Sequence, residues 1–409
     1  MTAAAWGIDE GYHDVSGTWH QAPEQTIRAF LAAMHARDRV DDGPPPPSRP
    51  TWVVRPGAAE PLLNQCDLTL EDGTVLPHLD HLPPDLPLGY HCLRPVADGP
   101  VTQLLVSPGR CHLPDGLRIW GWAVQLYAAR SGGSWGIGDL ADLRAIADWT
   151  NQRGGRVLVI NPLHAATPVA PTEPSPYFPS SRVFRNPLYL RVEEVDGAAS
   201  LGDRLDGLAR QGRALNQQRL IDRDEVLRLK LDALDHLWAS AGCDDERFER
   251  FRAERGGALR AFATYCVLAE RHGPDWHDWP GELRHPESPA IRGAHREHAD
   301  RIRFHEWLQW LLDEQLARAG TVGIVQDLAI GFDDGGADAW MWQDWVASGV
   351  TVGAPPDEFN TLGQDWGLPP FVPWKLRGWG YGPYIETIRA VLRHAGGLRV
   401  DHVMGLFRL

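Results

Sequence analysis

Hydrophobic and polar positions alternate in different rhythms along this chain, and each rhythm marks a region. Residues 8–37 carry a helical period in which Thr26, Ile27, Phe30, Leu31 and Met34 share one face. The stretch DDGPPPPSRP (41–50) ends it, because four consecutive prolines supply no amide donors and favour an extended linker. Over 51–112, short β-forming runs (TWVVRP, CDLTLEDGTVLPHL, GYHCLRP, TQLLVSP) are punctuated by Gly, Pro and Asp-Gly, and Glu71-Asp72-Gly73-Thr74 reads as a hairpin turn. This predicts an N-terminal helical segment (1–40) packed near a small β-sandwich-like domain (41–118).

The style changes at Ile119. IWGWAVQLYAA (119–129) is nearly all apolar, as expected of a strand buried on both faces. A Gly-rich loop (132–138), a helical pattern from Asp139 to Gln152 and a second apolar run, RVLVINPLHA (156–165), complete a βαβ unit. Residues 198–318 are helical and highly charged, with apolar stripes at Leu227, Leu231, Leu234 and Trp238, and at Phe304, Trp307, Leu308 and Leu311. That is too much for one crossover helix and predicts a helical insertion. TVGIVQDLAIG (321–331) is a third strand, YIETIRAVLRHAGG (384–397) a helix with glycines at its C-terminal end, and LRVDHVMGLFRL (398–409) a fourth strand. The fold class is therefore α/β. Residues 119–409 read as the first part of a (β/α)8 TIM-type barrel, with about four of its eight strands, and such barrels carry their active sites at the strands' C-terminal ends.

Composition narrows the functions open to it. Of 409 residues, 43% are hydrophobic and 23% charged, and the formal net charge of −14 argues against an extended nucleic-acid surface. The 18 Trp are mostly core candidates, although flat rings on loops also stack on sugars. Cys66, Cys92, Cys111, Cys243 and Cys266 are odd in number and scattered, which suggests reduced thiols. With no basic-then-apolar leader and no apolar run of ~20 residues, the expected location is cytoplasmic and off the membrane. No Rossmann or P-loop glycine pattern occurs, so no cofactor is expected. His295 and His298 have a spacing at which a metal site is conceivable, but read as solvated; no metal is expected.

The chemistry-bearing residues cluster late. Asp327 stands near a strand's C-terminal end, and alternation puts Arg399 and Asp401 on one side of the next strand, followed by His402. A guanidinium beside a carboxylate favours its charged form, as nucleophilic attack on an anomeric carbon requires. Spacing alone fits an ordinary buried Arg–Asp pair more often. In SPYFPSS (175–181), Tyr177 could stack on a sugar or donate its hydroxyl, or simply pack. GAPPDEFNTLGQDWG (353–367) offers Asp357, Asn360, Gln364, Asp365 and Trp366, planar polar groups and a ring that suit sugar hydroxyls, or equally a polar surface loop.

WGIGDL (135–140), NPLHA (161–165), SPYFPSSRVFRNPLYL (175–190), QDLAIG (326–331), GAPPDEFNTLGQDWGLPP (353–370) and LRVDHVMGLFRL (398–409) together resemble the motifs of the amylomaltases, the 4-alpha-glucanotransferases of glycoside hydrolase family 77, in that family's order. The resemblance implies retaining transfer of alpha-1,4-glucan segments between maltooligosaccharides. It implies Asp401 as nucleophile and Arg399 as the group that holds it. Asp327, His402, Asp357, Gln364, Trp366, Asn360, Tyr177 and Ser175 would bind sugar. Retaining transfer also needs a second carboxyl roughly 5–5.5 Å from the first. In the family that general acid/base is a Glu at the fifth strand's end, with a third carboxylate near the seventh. Neither is present before Leu409, so a partial sequence that binds glucan without turnover is expected. Glu358-Phe359 departs from relatives that often carry an aromatic residue there, which leaves acceptor preference open. A plain alpha-glucan hydrolase and a non-catalytic glucan-binding protein are the competing readings; the oligomeric state is not legible.

Overall fold

The computed structural model describes residues 3–36, 43–47, 49–242 and 244–407. The first apolar stretch is helical for only part of its length. Strands β1 (Gly11–His13) and β2 (Trp19–Gln21) form a hairpin, and helix α1 (Glu24–Ala33) starts only after Pro23. Asp14 fixes the hairpin turn, its Oδ1 accepting from the Ser16 and Thr18 amides at 2.9 Å each. That local side-chain bonding competes with helix and wins at 11–21.

Strands β3 (Thr51–Val54), β4 (Pro61–Thr69), β5 (Val75–His81), β6 (Gly89–Pro95) and β7 (Thr102–Val106) form one sheet in the order β3-β7-β6-β4-β5. The Asp72-Gly73 hairpin is where it was expected, with Gly73 at φ 90° and the Thr74 amide on Asp72. The expected sandwich is not formed: among the described residues no second sheet faces this one. Leu82 and Leu86, from the chain after β5, close its apolar face over Leu68, Leu93 and Leu104. Nor does α1 pack on this sheet. Leu31, Ala33 and Met34 instead join Trp6, Ala347 and Val372 in a separate core, where Trp374 donates to the Met34 carbonyl at 2.8 Å.

The C-terminal unit begins with β8 (Gly121–Val124), α2 (Leu140–Gln152) and β9 (Val157–Ile160). Asp139 caps α2 in a reciprocal box with Asp142, and Arg191 clamps both, at 2.6 and 3.1 Å. The short strands β10 (His164–Ala165) and β11 (Ser181–Arg185) pair antiparallel. The insertion follows as α3 (Asp203–Ala214), α4 (Arg223–Ala241), α5 (Glu246–His272), α6 (Pro289–Glu297) and α7 (Ala299–Ala317). Leu234, Trp238, Phe304, Trp307, Leu308 and Leu311 are buried together, as their spacing predicts. Helix α5 breaks at Gly256, whose φ of 53° is one that L side chains rarely adopt. Then come β12 (Gly323–Leu328), α8 (Ala337–Met341), the hairpin β13 (Val352–Ala354) and β14 (Gln364–Leu368), α9 (Pro373–Gly378), α10 (Gly382–Leu392) and β15 (Gly397–Val400).

The main sheet is parallel and ordered β15-β12-β9-β8. Among the described residues β8 pairs with β9 alone, and Trp120 just before it and Trp122 within it are 46% and 43% exposed, against the expectation of burial on both faces. The final segment also differs from expectation. Helix α10 stops at Leu392, His394 turns left-handed, and the glycines begin β15 rather than cap the helix. A Cβ on Gly396 would lie 2.7 Å from the Gly323 Cα, so close strand approach needs that glycine. The strand ends at Val400; a turn at Asp401-His402 leads into a 3-10 turn at Val403–Leu406. The last two positions of the expected strand, 408–409, lie outside the described residues, as does Cys243. Cys66, Cys92, Cys111 and Cys266 are free thiols.

The small sheet docks on α10, where Arg389 pairs with Glu71 and stands 5.0 Å from the Tyr90 ring centre. No helix among the described residues is long and apolar enough to cross a membrane. None of their His, Cys, Asp and Glu side chains gather in threes as metal ligands would. His295 is not solvated as expected: burial first, then nearby Arg260, lowers its pKa, and its Nε2 is enclosed without a partner.

Candidate active site

The site grows from one register pair. Strands β12 and β15 lie parallel so that Asp327 stands directly opposite Arg399, each near its strand's C-terminal end. Asp327 is 4% exposed, which makes an unpaired charge there costly. Arg399 answers it with Nη1, 2.5 Å from Oδ2. The second arm, Nη2, donates to Asp401 Oδ1 at 2.9 Å. One planar guanidinium therefore ties two carboxylates into fixed relative positions, a task suited to its fork of donors. Desolvation opposes the charge on Arg399, but Asp327 and Asp401 outweigh it and hold the guanidinium above its ordinary range.

Tyr177 reaches in from the loop before β11, donating its hydroxyl to Asp327 Oδ2 at 2.8 Å. Burial, and then that hydrogen bond, push its pKa up to about 12, so it serves as a donor at neutral pH. Ser175 supports this loop from behind: its Oγ accepts the Tyr177 amide at 3.3 Å, and its exposed side chain does not touch the carboxylates.

On the other side, His402 adopts a left-handed backbone (φ 45°) that ends the strand. Its Nε2 lies 3.8 Å from Asp401 Oδ2, and its ring sits 4.4 Å from that of Trp366. Trp366 is carried by β14, and its Nε1 donates to Gln364 Oε1 at 3.3 Å. Asp365 braces this strand by accepting from Thr351 and the Gly367 amide. Tyr177, Asp327, Arg399, Asp401, His402, Trp366 and Gln364 thus form one chain of contacts. Asp357 and Asn360 do not join it. One oxygen of Asp357, Oδ1, is taken up by its own turn, accepting the Phe359 and Asn360 amides at 2.8 and 2.6 Å.

Sequence reasoning missed the frame behind these groups. Arg182 is buried and donates to the Ala329 and Ile330 carbonyls just past β12, while its own amide donates to Asp338 Oδ2 at 2.8 Å. Burial raises the Asp338 carboxyl to about 6 and lowers Arg182. The available signal was SRVFR, two arginines inside an otherwise buried run.

Comparison with known proteins places this arrangement in context. The family model described as 4-alpha-glucanotransferase matches residues 124–409. The chain belongs to the 4-alpha-glucanotransferase family. It is similar to the 4-alpha-glucanotransferase of Mycobacterium tuberculosis H37Rv, 48% identical over 80% of this chain and 49% of that protein. It also resembles that of Haemophilus influenzae, at 31% identity over 98% of this chain and 64% of the relative. The chain spans about half the length of the mycobacterial relatives it matches. Among solved structures, the amylomaltase from Corynebacterium glutamicum superposes with a TM-score of 0.83 at 33% identity, covering 100% of this chain and 65% of that one. An amylomaltase from Streptococcus agalactiae, solved with acarbose, shares the fold with a TM-score of 0.55 at 19% identity. The family match takes in β9, β12 and β15 of the parallel sheet, begins at the last residue of β8, and leaves out the small N-terminal sheet.

Proposed function

We propose that this chain supplies the nucleophile side of a retaining 4-alpha-glucanotransferase acting on maltooligosaccharides in the cytoplasm. Its parallel sheet would be part of a (β/α)8 barrel. The observation that supports this most directly is the Arg399 bridge, which presents Asp401 beside the Trp366–His402 pair while anchoring itself on buried Asp327.

In this reading Asp401 Oδ attacks the anomeric carbon of a bound glucan. A carboxylate–sugar bond forms as the glycosidic bond breaks, and an incoming glucan hydroxyl later takes the glycosyl unit. Trp366 offers its face to a sugar ring, with His402 and Gln364 as polar neighbours. Asp357, Asn360 and Ser175 act at one remove, by shaping the loops. Departure of a sugar alkoxide needs a proton donor roughly 5–5.5 Å from the nucleophile. Asp327 is committed to Tyr177 and Arg399, so we assign that proton to a carboxyl outside the described site. No cofactor enters the scheme.

This division of labour gives a direct test on the 409-residue chain. Fluoride leaves without protonation, so alpha-maltotriosyl fluoride should glycosylate Asp401 as the C–F bond breaks and fluoride departs. Without a general base the adduct should persist. Intact-protein mass spectrometry should show one maltotriosyl unit on the wild-type chain and none on Asp401→Asn. The same chain should turn over maltotriose slowly at most. No adduct on either protein, or an adduct that survives Asp401→Asn, would overturn the reading.

A further inference from the structure

Asp327 stands where one flank of its strand loses its ladder. The pairing of β9 with β12 ends at Ile160 and Gln326, one residue before Asp327, whereas β15 stays paired as far as Leu328 and Val400. Beyond that point the buried backbone groups of the chain need other partners. Two side chains supply them. The Ala329 amide donates to His164 Nε2 at 3.3 Å, and Arg182 Nη1 donates to the Ala329 and Ile330 carbonyls at 3.2 and 3.0 Å. We propose that His164 and Arg182 are positioning residues of the reaction centre: their grip on Ala329–Ile330 fixes Asp327 and, through Arg399, the aim of Asp401. The proposal rests on the retaining-transferase reading above and adds two residues to it.

The first support is where the clamp comes from. His164 lies in β10 and Arg182 in β11, and Tyr177 is on the loop between them. One hairpin therefore donates a hydroxyl to the Asp327 carboxylate and also holds the backbone two residues further on. The second is that both clamping side chains are themselves held. The His164 ring also hydrogen-bonds the Arg182 backbone, and the Arg182 amide donates to Asp338 Oδ2 at 2.8 Å. The Arg182 guanidinium stands 5.2 Å from the Phe332 ring centre. The third is chemical state. His164, Arg182 and Ala329 are all buried. Burial first, then Arg182 and Arg185, push the His164 pKa down to about 3, so the ring is neutral and its Nε2 can accept. A buried amide deprived of that acceptor would pull its segment toward another partner.

The rate at which alpha-maltotriosyl fluoride labels Asp401, taken at saturating sugar, tests this on the 409-residue chain. His164→Asn keeps a donor where Nδ1 lies but no longer reaches the Ala329 amide. His164→Gln keeps an acceptor where Nε2 lies. Both are neutral and polar, and urea unfolding of the same samples reports the fold. The maximal rate should fall roughly 2- to 12-fold in His164→Asn, the worth of one hydrogen bond, and stay near wild type in His164→Gln. Because the clamp acts through Asp327, His164→Asn should add little to the loss already caused by Asp327→Asn. A purely structural role would lower the urea midpoint and leave the maximal rate of the folded protein unchanged. Wild-type labelling by His164→Asn, equal losses in the Asn and Gln variants, or an undiminished loss in the Asp327→Asn background would overturn the clamp while Asp401 remains the labelled residue. No labelling of the wild-type chain would remove the reading it rests on, and the clamp with it.

Discussion

Replacing Arg399 by Lys tests the logic of the site most sharply. Its two arms hold Asp327 at 2.5 Å and Asp401 at 2.9 Å. A lysine ammonium is a single point charge and cannot span both. It should stay with Asp327, whose side chain is 5% exposed and cannot be left uncompensated, and so release Asp401, which is 27% exposed. The loss is one charge-assisted hydrogen bond, about 1.5–3 kcal/mol. If that bond orients the nucleophile, its loss lowers the rate of adduct formation from alpha-maltotriosyl fluoride by roughly 10- to 150-fold. Folding should suffer much less. The Arg399 side chain is 46% exposed, and ion pairs in that setting contribute about 1 kcal/mol or less. Adduct formation followed by mass spectrometry, beside urea unfolding of the same samples, separates the two quantities. A wild-type rate of adduct formation in Arg399→Lys would refute the orienting role. A stability loss as large as the rate loss would reduce Arg399 to a structural residue.

Trp366→Ala should weaken maltotriose binding roughly 2- to 12-fold by calorimetry, the worth of one ring stack, with an unchanged urea midpoint. Asp338 gives a pH signature. Burial raises its folded carboxyl to about 6, so the unfolded chain loses that proton first, and stability falls as pH rises from about 4 to about 6. The drop is at most ~3 kcal/mol and should vanish in Asp338→Asn, as seen in the difference between the two proteins' urea midpoints at pH 4 and pH 7. Asp313 should behave oppositely. Burial works against its charge, but His394, Arg393 and Arg185 hold it well below the usual carboxylate range. Its contribution is therefore present above about pH 4 and lost as pH falls further, and Asp313→Ala should cost about 3–5 kcal/mol at pH 7 by stranding buried cations.

What was legible in the sequence was what strand alternation controls. Arg399 and Asp401 two apart, and Asp327 at the end of the neighbouring strand, had to meet once β12 and β15 paired in register, and they do. The apolar stripes of the insertion were legible from the helical period, the counterpart of that alternation. Side-chain bonding that overrides a local pattern was harder to see. Asp14 turns a helical-looking stretch into a hairpin, and Asp357 turns its Oδ1 back onto the Phe359 and Asn360 amides. Neither effect has a period. Face burial was also hidden: the apolar run at 119–129 suggested a strand buried on both faces, whereas among the described residues β8 pairs with β9 alone and Trp122 is exposed. The docking of α1 against Trp374, more than three hundred residues away, left no trace in its stripe, because an apolar face does not say which core it will join.

The insertion, which looked like an interruption of the sheet unit, is tied to the segments that carry the site. Two buried glutamines of α7 read the backbone of the incoming chain as a neighbouring strand would. Gln309 accepts the Arg185 amide and donates to the Arg185 carbonyl, and Gln315 does the same at Arg191. Arg185 then reaches from the end of β11 to the carbonyls of Ala390, in the last turn of α10, and of Arg393, just after it. Asp313, from the same face of α7, closes the loop by gripping Arg393 at 2.7 Å and His394 at 3.1 Å. Helix α7 thus holds the C-terminal end of β11, the segment after it, and the turn between α10 and β15, the strand that carries Arg399. A polar stripe on that helix is costly to bury unless every group is paired. The pairing falls on the end of β11 and on the turn that leads into β15, so the insertion braces the strand that carries Arg399.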